Sequence, residues 1–273
     1  PSILLFVQKR NPVFIQCFTE EDHQFISDVG QPFVPLRLGP ADWVDASTFR
    51  ANPAGDKTYE VVMVANWARH KRHRTLFQAL SLVRDRDLRV LLVGFPWAGR
   101  TSADILAEAA PYRNPRVRID IVEQVPQCEL AALLSRCRAF VFLSRKEGDN
   151  KALVEALFAN VPAVVYEDSI GGATRRINEH TGVLTSDAAL TERLLYVLDH
   201  PDRFSPRAWA LEHTGSANAT RVLGEAIRTT VAGQGEPYTG TIEEKKNGPN
   251  LAYMDSSVRQ RLDADYRFIA SLR

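Results

Sequence analysis

From Tyr59 onward, short and nearly unbroken apolar runs alternate with longer stretches in which apolar residues recur every three or four positions. The runs are YEVVMVA (59–65), RVLLVG (89–94), VRIDIVE (117–123), AFVFLS (139–144) and PAVVYE (162–167). Continuous rather than alternating hydrophobicity is what strands buried on both faces require. Helical spacing falls at roughly 73–85, 102–111, 127–136 and 150–160. Strand–helix alternation of this kind predicts an α/β fold, a Rossmann-like doubly wound parallel sheet with helices on both faces. Two more helices are expected at 187–199 and 215–231. The segment GQGEPYTGTIEEKKNGPN (233–250) then reads as a linker or surface excursion. A last amphipathic helix over 255–271 puts Val258, Leu262, Tyr266 and Ile269 on one stripe. It either docks on its own domain or crosses to another.

The front end differs in character. FVQKRNPVFIQCFTEEDHQFISDVG holds one strand (13–18), a Thr19-Glu20-Glu21 helix start and a Gly30 stop. One strand and one helix cannot bury a core of their own. Residues 1–40 are therefore expected to be the tail of a neighbouring domain, followed by a domain at 41–232 and a linker with a closing helix at 233–273. The chain opens on Pro1 without a methionine, which suggests a fragment or a processed product.

Composition narrows the function classes. Hydrophobic residues make up 45% of the 273 and charged residues 25%, with 34 Lys/Arg against 33 Asp/Glu. A net charge of +1 gives no global drive toward nucleic acid or an anionic membrane, so any basic function is local. Cys17, Cys128 and Cys137 show neither CxxC nor Cys/His metal spacing and read as reduced core thiols of a cytoplasmic protein. No apolar run is long enough for a transmembrane helix. The opening PSILLFVQKR is apolar and then basic, the reverse of a secretory signal.

Candidate chemistry gathers where strands end. In FLSRKEGDNKALVEALFANVPAVV (142–165), a buried strand gives way to a polar loop and then to a helix starting near Asp149 or Asn150. Ligands bind outside the carboxyl ends of parallel strands, and a helix N-terminus suits phosphate. Gly148 lets the backbone approach a ligand closely. The helix is apolar nearly all round, so Glu155 is an ionisable group that needs a partner. Aimed into a crevice it suits vicinal ribose hydroxyls; an ion pair with an arginine is the other reading. Glu147, on the loop, is by default a solvated surface carboxylate.

VANWARHKRHRTLFQAL (64–80) carries a basic loop, Arg69 through Arg74, from a strand end into a helix. Lys71 is in position to reach a diphosphate and stabilise charge on a leaving phosphate. The cluster lacks interleaved aromatics, and this argues against nucleic acid. In SIGGATRRINEHTG (169–182), Gly171 and Gly172 stand on the same side of the sheet, as a ligand loop or a plain turn. No P-loop, GxGxxG, HExxH or nucleophile elbow is present.

Together these elements resemble family 4 of the retaining glycosyltransferases of GT-B fold, over roughly residues 58–230. The likeness rests on Lys71 after its strand, the VLLVG strand (90–94) and VEQVPQCELAALLSRCRAFVFLS (122–144). It continues through the E-x7-E pair Glu147 and Glu155 in EGDNKALVEALFANVPAVV (147–165), then Gly171-Gly172 and INEHTGVL (177–184). It implies that the chain is the C-terminal, donor-binding half of a GT-B fold with a remnant of the N-terminal domain. By position, Lys71 meets the donor diphosphate, Glu147 the hydroxyls of the transferred sugar, and Glu155 the ribose. Backbone amides around Gly148, Asp149, Asn150 and Lys151 meet sugar and phosphate, and Gln124 and Val125 flank the base.

Three positions depart from the family pattern. Asn66 stands where an arginine is common, with Arg69 or Arg72 as stand-ins. Asp149-Asn150-Lys151 replaces Phe-Gly-Leu, which leaves the sugar open. Asn160-Val161 replaces a small-Gly pair. The implied reaction moves a sugar from a nucleotide-sugar donor to a glycan, lipid or small-molecule acceptor, without metal or other cofactor. Much of the acceptor site belongs to the N-terminal domain, so the chain alone is expected to bind donor and turn over poorly. A nucleotide-sugar-binding module without turnover, or a GT-B epimerase or phosphorylase, are the alternatives.

Overall fold

The computed structural model describes residues 6–7, 11–52, 56–235, 237–246 and 252–271. By contacts the chain divides into two compact units, Ala46–His213 and a second made of Pro1–Asp45 with Thr214–Arg273.

The N-terminal segment holds β1 (Val13–Gln16), α1 (Glu20–Val29) and β2 (Phe33–Leu36). Thr19 caps α1 by accepting from the Asp22 amide, and Gly30, at φ 72°, ends it. The strand and helix were expected; β2 was not, because Pro35 interrupts its short apolar run. β1 and β2 pair in parallel from Val13↔Phe33 to Gln16↔Leu36. Cys17, Ile26 and Phe33 form a small core between them.

The larger unit is a six-stranded, all-parallel sheet. Its strands are β3 (Tyr59–Val64), β4 (Leu88–Gly94), β5 (Val117–Glu123), β6 (Cys137–Phe142), β7 (Ala163–Tyr166) and β8 (Gly182–Thr185), in the order β5-β4-β3-β6-β7-β8. The helices are α2 (His73–Ser81), α3 (Ser102–Ala109), α4 (Gln127–Ser135), α5 (Lys151–Phe158), α6 (Leu190–Asp199) and α7 (Pro206–His213). Val61, Met63, Val90, Leu92, Ala139 and Val141 face Leu76, Phe77, Ile105, Leu190 and Leu194 of α2, α3 and α6. The intervening strand residues Val62, Leu91 and Phe140 are buried toward the other face. There α5 is covered on nearly every side, with Leu153, Val154, Leu157 and Phe158 inaccessible. The doubly wound α/β architecture is the one predicted. β8 and α7 were not foreseen: each is short, and its apolar residues are too few to set a period.

The chain runs β3, β4, β5 outward in one direction and then returns to lay β6 on the opposite side of β3. The topological switch point, where ligands bind in open α/β sheets, lies between the carboxyl ends of β3 and β6.

The remaining elements are α8 (Ser216–Gly233), β9 (Lys245–Lys246), β10 (Ala252–Tyr253), α9 (Ser257–Arg261) and α10 (Asp263–Ser271). α8 groups with the N-terminal segment: its Ala219 is buried with Leu36 and Leu38. The boundary by contacts therefore falls at Thr214 rather than after residue 232. The closing helix is two helices broken at Leu262. Val258 is buried as its stripe requires, whereas Ile269 is 58% exposed. Most of the opening PSILLFVQKR and, in the linker, residues 236 and 247–250 lie outside the described residues. Cys17 and Cys137 are buried and free, but Cys128 is exposed and is not a core thiol. Among the described residues no helix is long and apolar enough to cross a membrane.

Candidate functional site

Past β6 the chain stays buried through Leu143 and Ser144 and then crosses the sheet edge as the loop 145–150. The loop after β7 runs alongside it. Ile170 donates its amide to Arg145 O (2.8 Å), Glu147 to Ile170 O (3.0 Å), and Gly172 to Gly148 O (2.8 Å). So close an approach excludes side chains. A Cβ on Gly171, at φ 130°, would lie 2.0 Å from the Glu147 carbonyl oxygen. One on Gly172 would lie 2.4 Å from Asp149 Oδ1. The double glycine is thus needed for the two loops to meet.

Asn150 caps α5, its Oδ1 accepting from the Leu153 amide (2.8 Å). Its Nδ2 donates to Glu147 Oε2 (2.9 Å). The other carboxylate oxygen of Glu147 pairs with Lys71 Nζ. Lys71 comes from the single 3₁₀ turn Arg69–Lys71 that follows β3. Glu147 is therefore held between the cap of α5 and a cation from across the switch point, and is not the solvated carboxylate its loop position suggests. Burial pulls the Lys71 ammonium down to about 8, and the Glu147 carboxylate works in the opposite direction.

Glu155 lies one turn further along α5 and is 7% exposed. Burial raises its carboxyl to about 7, opposed by Lys151 and by a hydrogen bond from Gln127 at the start of α4. The groups acting on it are Lys151 and Gln127, not the arginine of an ion pair.

Other candidates are engaged differently. Asp149 turns inward, its Oδ2 accepting from Arg176 Nη2 at 2.9 Å, with Arg175 at 4.0 Å. Arg176, buried within an unremarkable RRINEH stretch, offered no sequence signal. Arg72 adopts a left-handed conformation (φ 64°, ψ 40°). Its guanidinium donates to Leu143 O, pairs with Asp187 and stacks 4.5 Å from the Tyr166 ring centroid. Arg69, Gly148 and Lys151 are exposed. Asn66 turns its Oδ1 to the Ala68 amide (3.2 Å).

Gln124 (φ 55°) donates its amide to Gly94 O at 2.9 Å, and Val125 is half-buried beside it. Next to them, on the loop after β4, stand two aromatics that the pattern reading passed over. Phe95 and Trp97 are 43% and 51% exposed, with ring centroids 6.2 Å apart edge to face. A side chain on Gly94 would enter the Trp67 ring. Among the described residues no three His, Cys, Asp or Glu side chains converge as a metal site.

A buried cation, a capped helix N-terminus and a paired carboxylate at a switch point can bind an anionic, hydroxyl-bearing ligand. Structural comparison shows the same fold in several solved proteins. Sucrose-phosphate synthase from Thermosynechococcus elongatus superposes with a TM-score of 0.66 at 19% identity, over 84% of this chain and 60% of its own. Anabaena Alr3699/HepE, solved with UDP and glucose, gives 0.62 at 15% identity, over 84% of this chain and 66% of its own. The C-terminal domain of LpcC, a glycosyl transferase group 1 family protein from Francisella tularensis, gives 0.52 at 13% identity; the match covers 62% of this chain and 97% of that domain. The chain thus spans less than two thirds of the first two proteins. No curated protein matches it in sequence. The sequence profile of the glycosyl transferases group 1 matches residues 45–209, more than half of the chain. The chain belongs to the glycosyl transferases group 1 family.

Proposed function

We propose that this chain carries the donor site of a retaining, family 4 glycosyltransferase, which moves a sugar from a nucleoside diphosphate to an acceptor. The observation that carries the reading is the chain of contacts Lys71–Glu147–Asn150 at the amino end of α5. The diphosphate lies against Lys71, Arg69 and the first amides of α5. Arg72, committed to Leu143, Asp187 and Tyr166, shapes the loop instead of gripping phosphate. Glu147 and the amides of Gly148 to Lys151 meet the sugar, with Gly171 and Gly172 keeping the β7 loop clear of it. Glu155 holds the ribose. Gln124 and Val125 flank the base, and the exposed face of Phe95 gives it a surface to stack on.

The bond from the anomeric carbon to the diphosphate oxygen breaks while the ring gains positive character. Lys71 and the helix amides stabilise the leaving charge, so transfer proceeds without metal. The acceptor oxygen bonds to the anomeric carbon on the face the diphosphate leaves, and its proton passes to the departing phosphate oxygen. HepE, solved with UDP and glucose, supports a nucleoside diphosphate sugar as the ligand class. A panel of UDP-, GDP- and ADP-sugars tested by thermal shift and saturation transfer should return at least one binder, unaffected by EDTA; no signal from any would overturn the reading.

A second reading is a nucleotide-sugar-binding module without turnover. Asn66 favours it, since it supplies no charge where a cation is common in the family and bonds its own loop. Donor hydrolysis by the chain and by Glu147→Ala separates the two: equal rates favour the binding module.

A further inference from the structure

We propose that Arg176 and Asp149 are positioning residues for this site, a buried fork that aims Glu147 and the amino end of α5. The inference rests on the donor-site reading but on observations of its own. Arg176, in the connection between β7 and β8, ties that connection to the β6–α5 loop. Its Nη1 and Nη2 take the two oxygens of Asp149 on the β6–α5 loop, and Nη1 also donates to Gly172 O (2.8 Å) on the β7 loop. Its own carbonyl accepts from Thr181 Oγ1 (2.6 Å), just before β8. The Asp149 side chain is 0% exposed and that of Arg176 3%.

Asp149 stands directly before the cap Asn150, so its anchoring sets the cap whose Nδ2 holds Glu147. The same loop makes three backbone hydrogen bonds to residues 170 and 172, a close approach that the glycines at 171 and 172 allow. A buried ion pair adds little net stability over an apolar pair of the same volume. What a planar, bidentate guanidinium adds is direction. That is what a loop needs when its next side chain must meet a cation from another strand.

Removing one partner strands a buried charge, so the informative variants are the volume-matched double Asp149→Leu/Arg176→Met and the single Arg176→Lys, which keeps the charge and loses the fork. Two readouts apply to the full chain. The first is the rate at which Lys71 is acylated by an amine reagent, followed by mass spectrometry. The second is affinity for UDP-glucose. A purely structural pair would leave both unchanged in a folded variant. A positioning pair predicts acylation faster by about fivefold or more as Lys71 loses its carboxylate. It also predicts UDP-glucose affinity weakened roughly ten- to a hundredfold. Folded variants with wild-type Lys71 reactivity would overturn the proposal, as would failure of both variants to fold. If the wild-type chain binds no UDP-glucose, the donor assignment weakens while the Lys71 comparison still judges the fork.

Discussion

Lys71 and Glu147, which follow different strands of the sheet, share a buried ion pair at the point where the strand order reverses. Neither is explained by its own segment. Lys71 ends a single 3₁₀ turn and Glu147 lies mid-loop, and each offsets the desolvation of the other. On the proposed donor-site reading, a diphosphate sugar entering between them would gain a cation for its leaving group and a carboxylate for its hydroxyls.

Substituting one member therefore has two separable effects. Lys71→Met and Glu147→Gln should each lower turnover of the active donor about 10²–10³-fold, the range for losing a charge aimed at the transition state. Glu147→Ala should also cost about 1–3 kcal/mol of stability, because it leaves the Lys71 ammonium without its carboxylate. Denaturant titration alongside kinetics separates the two.

Two buried groups set the pH range. Glu155 titrates near 7 in the fold, above its ordinary 4.5. The folded chain therefore keeps a proton that the unfolded chain releases between those values. The stability Glu155 contributes is full below about 4.5 and declines as pH rises through 7, in all by about 3 kcal/mol. If Glu155 holds the ribose as proposed, binding needs the carboxylate and follows the opposite course. Lys71 loses its charge as pH rises through about 8, or higher to the extent that Glu147 holds it. Donor affinity should peak between these limbs. Glu155→Gln should raise thermal stability at pH 8 and abolish the acid limb, which calorimetry and binding titrations at several pH values would read.

The order of strands and helices from β3 to β7 was legible because buried parallel strands leave continuous apolar runs. Lys71, Glu147 and the glycine pair stood out because they fall where those runs stop, and Glu155 because it is a carboxylate inside an apolar helix. Partnership was not legible. Nothing in RRINEH marks Arg176 as the buried partner of Asp149, since a guanidinium that crosses between loops leaves no period in its own segment. Arg72 reads as one cation of a basic loop, and only its left-handed backbone turns it back toward Asp187 and Tyr166. Phe95 and Trp97 are invisible to a search for apolar faces because both are exposed.

Backbone approach at Gly171 makes a sharp test of the loop pairing. Gly171→Ala places a Cβ against Glu147 O at a φ that side chains rarely adopt. It should cost about 2 kcal/mol or more and weaken donor binding. Gly233→Ala, at the end of α8 with open space around it, should be neutral or slightly stabilising. Thermal melts of the pair, with UDP titrations, give the comparison.

Phe95 tests the base assignment. Phe95→Ala should weaken binding of the preferred nucleoside diphosphate roughly tenfold, in line with the loss of one aromatic stack. Binding of inorganic pyrophosphate should be unchanged. Equal losses for both ligands would show that the substitution disturbs the loop and not a base contact.

On the proposed function, the amino end of α5, facing Lys71 and Glu147, receives the diphosphate. The most direct measurement is titration of UDP, GDP and ADP into ¹⁵N-labelled chain with backbone amide shifts followed residue by residue. The nucleotide that binds should shift the amides of Gly148 to Leu153 and of Gly171 most strongly, and Lys71→Met should remove those shifts. Saturable shifts centred elsewhere, with the amides of 148–153 unmoved, would contradict it.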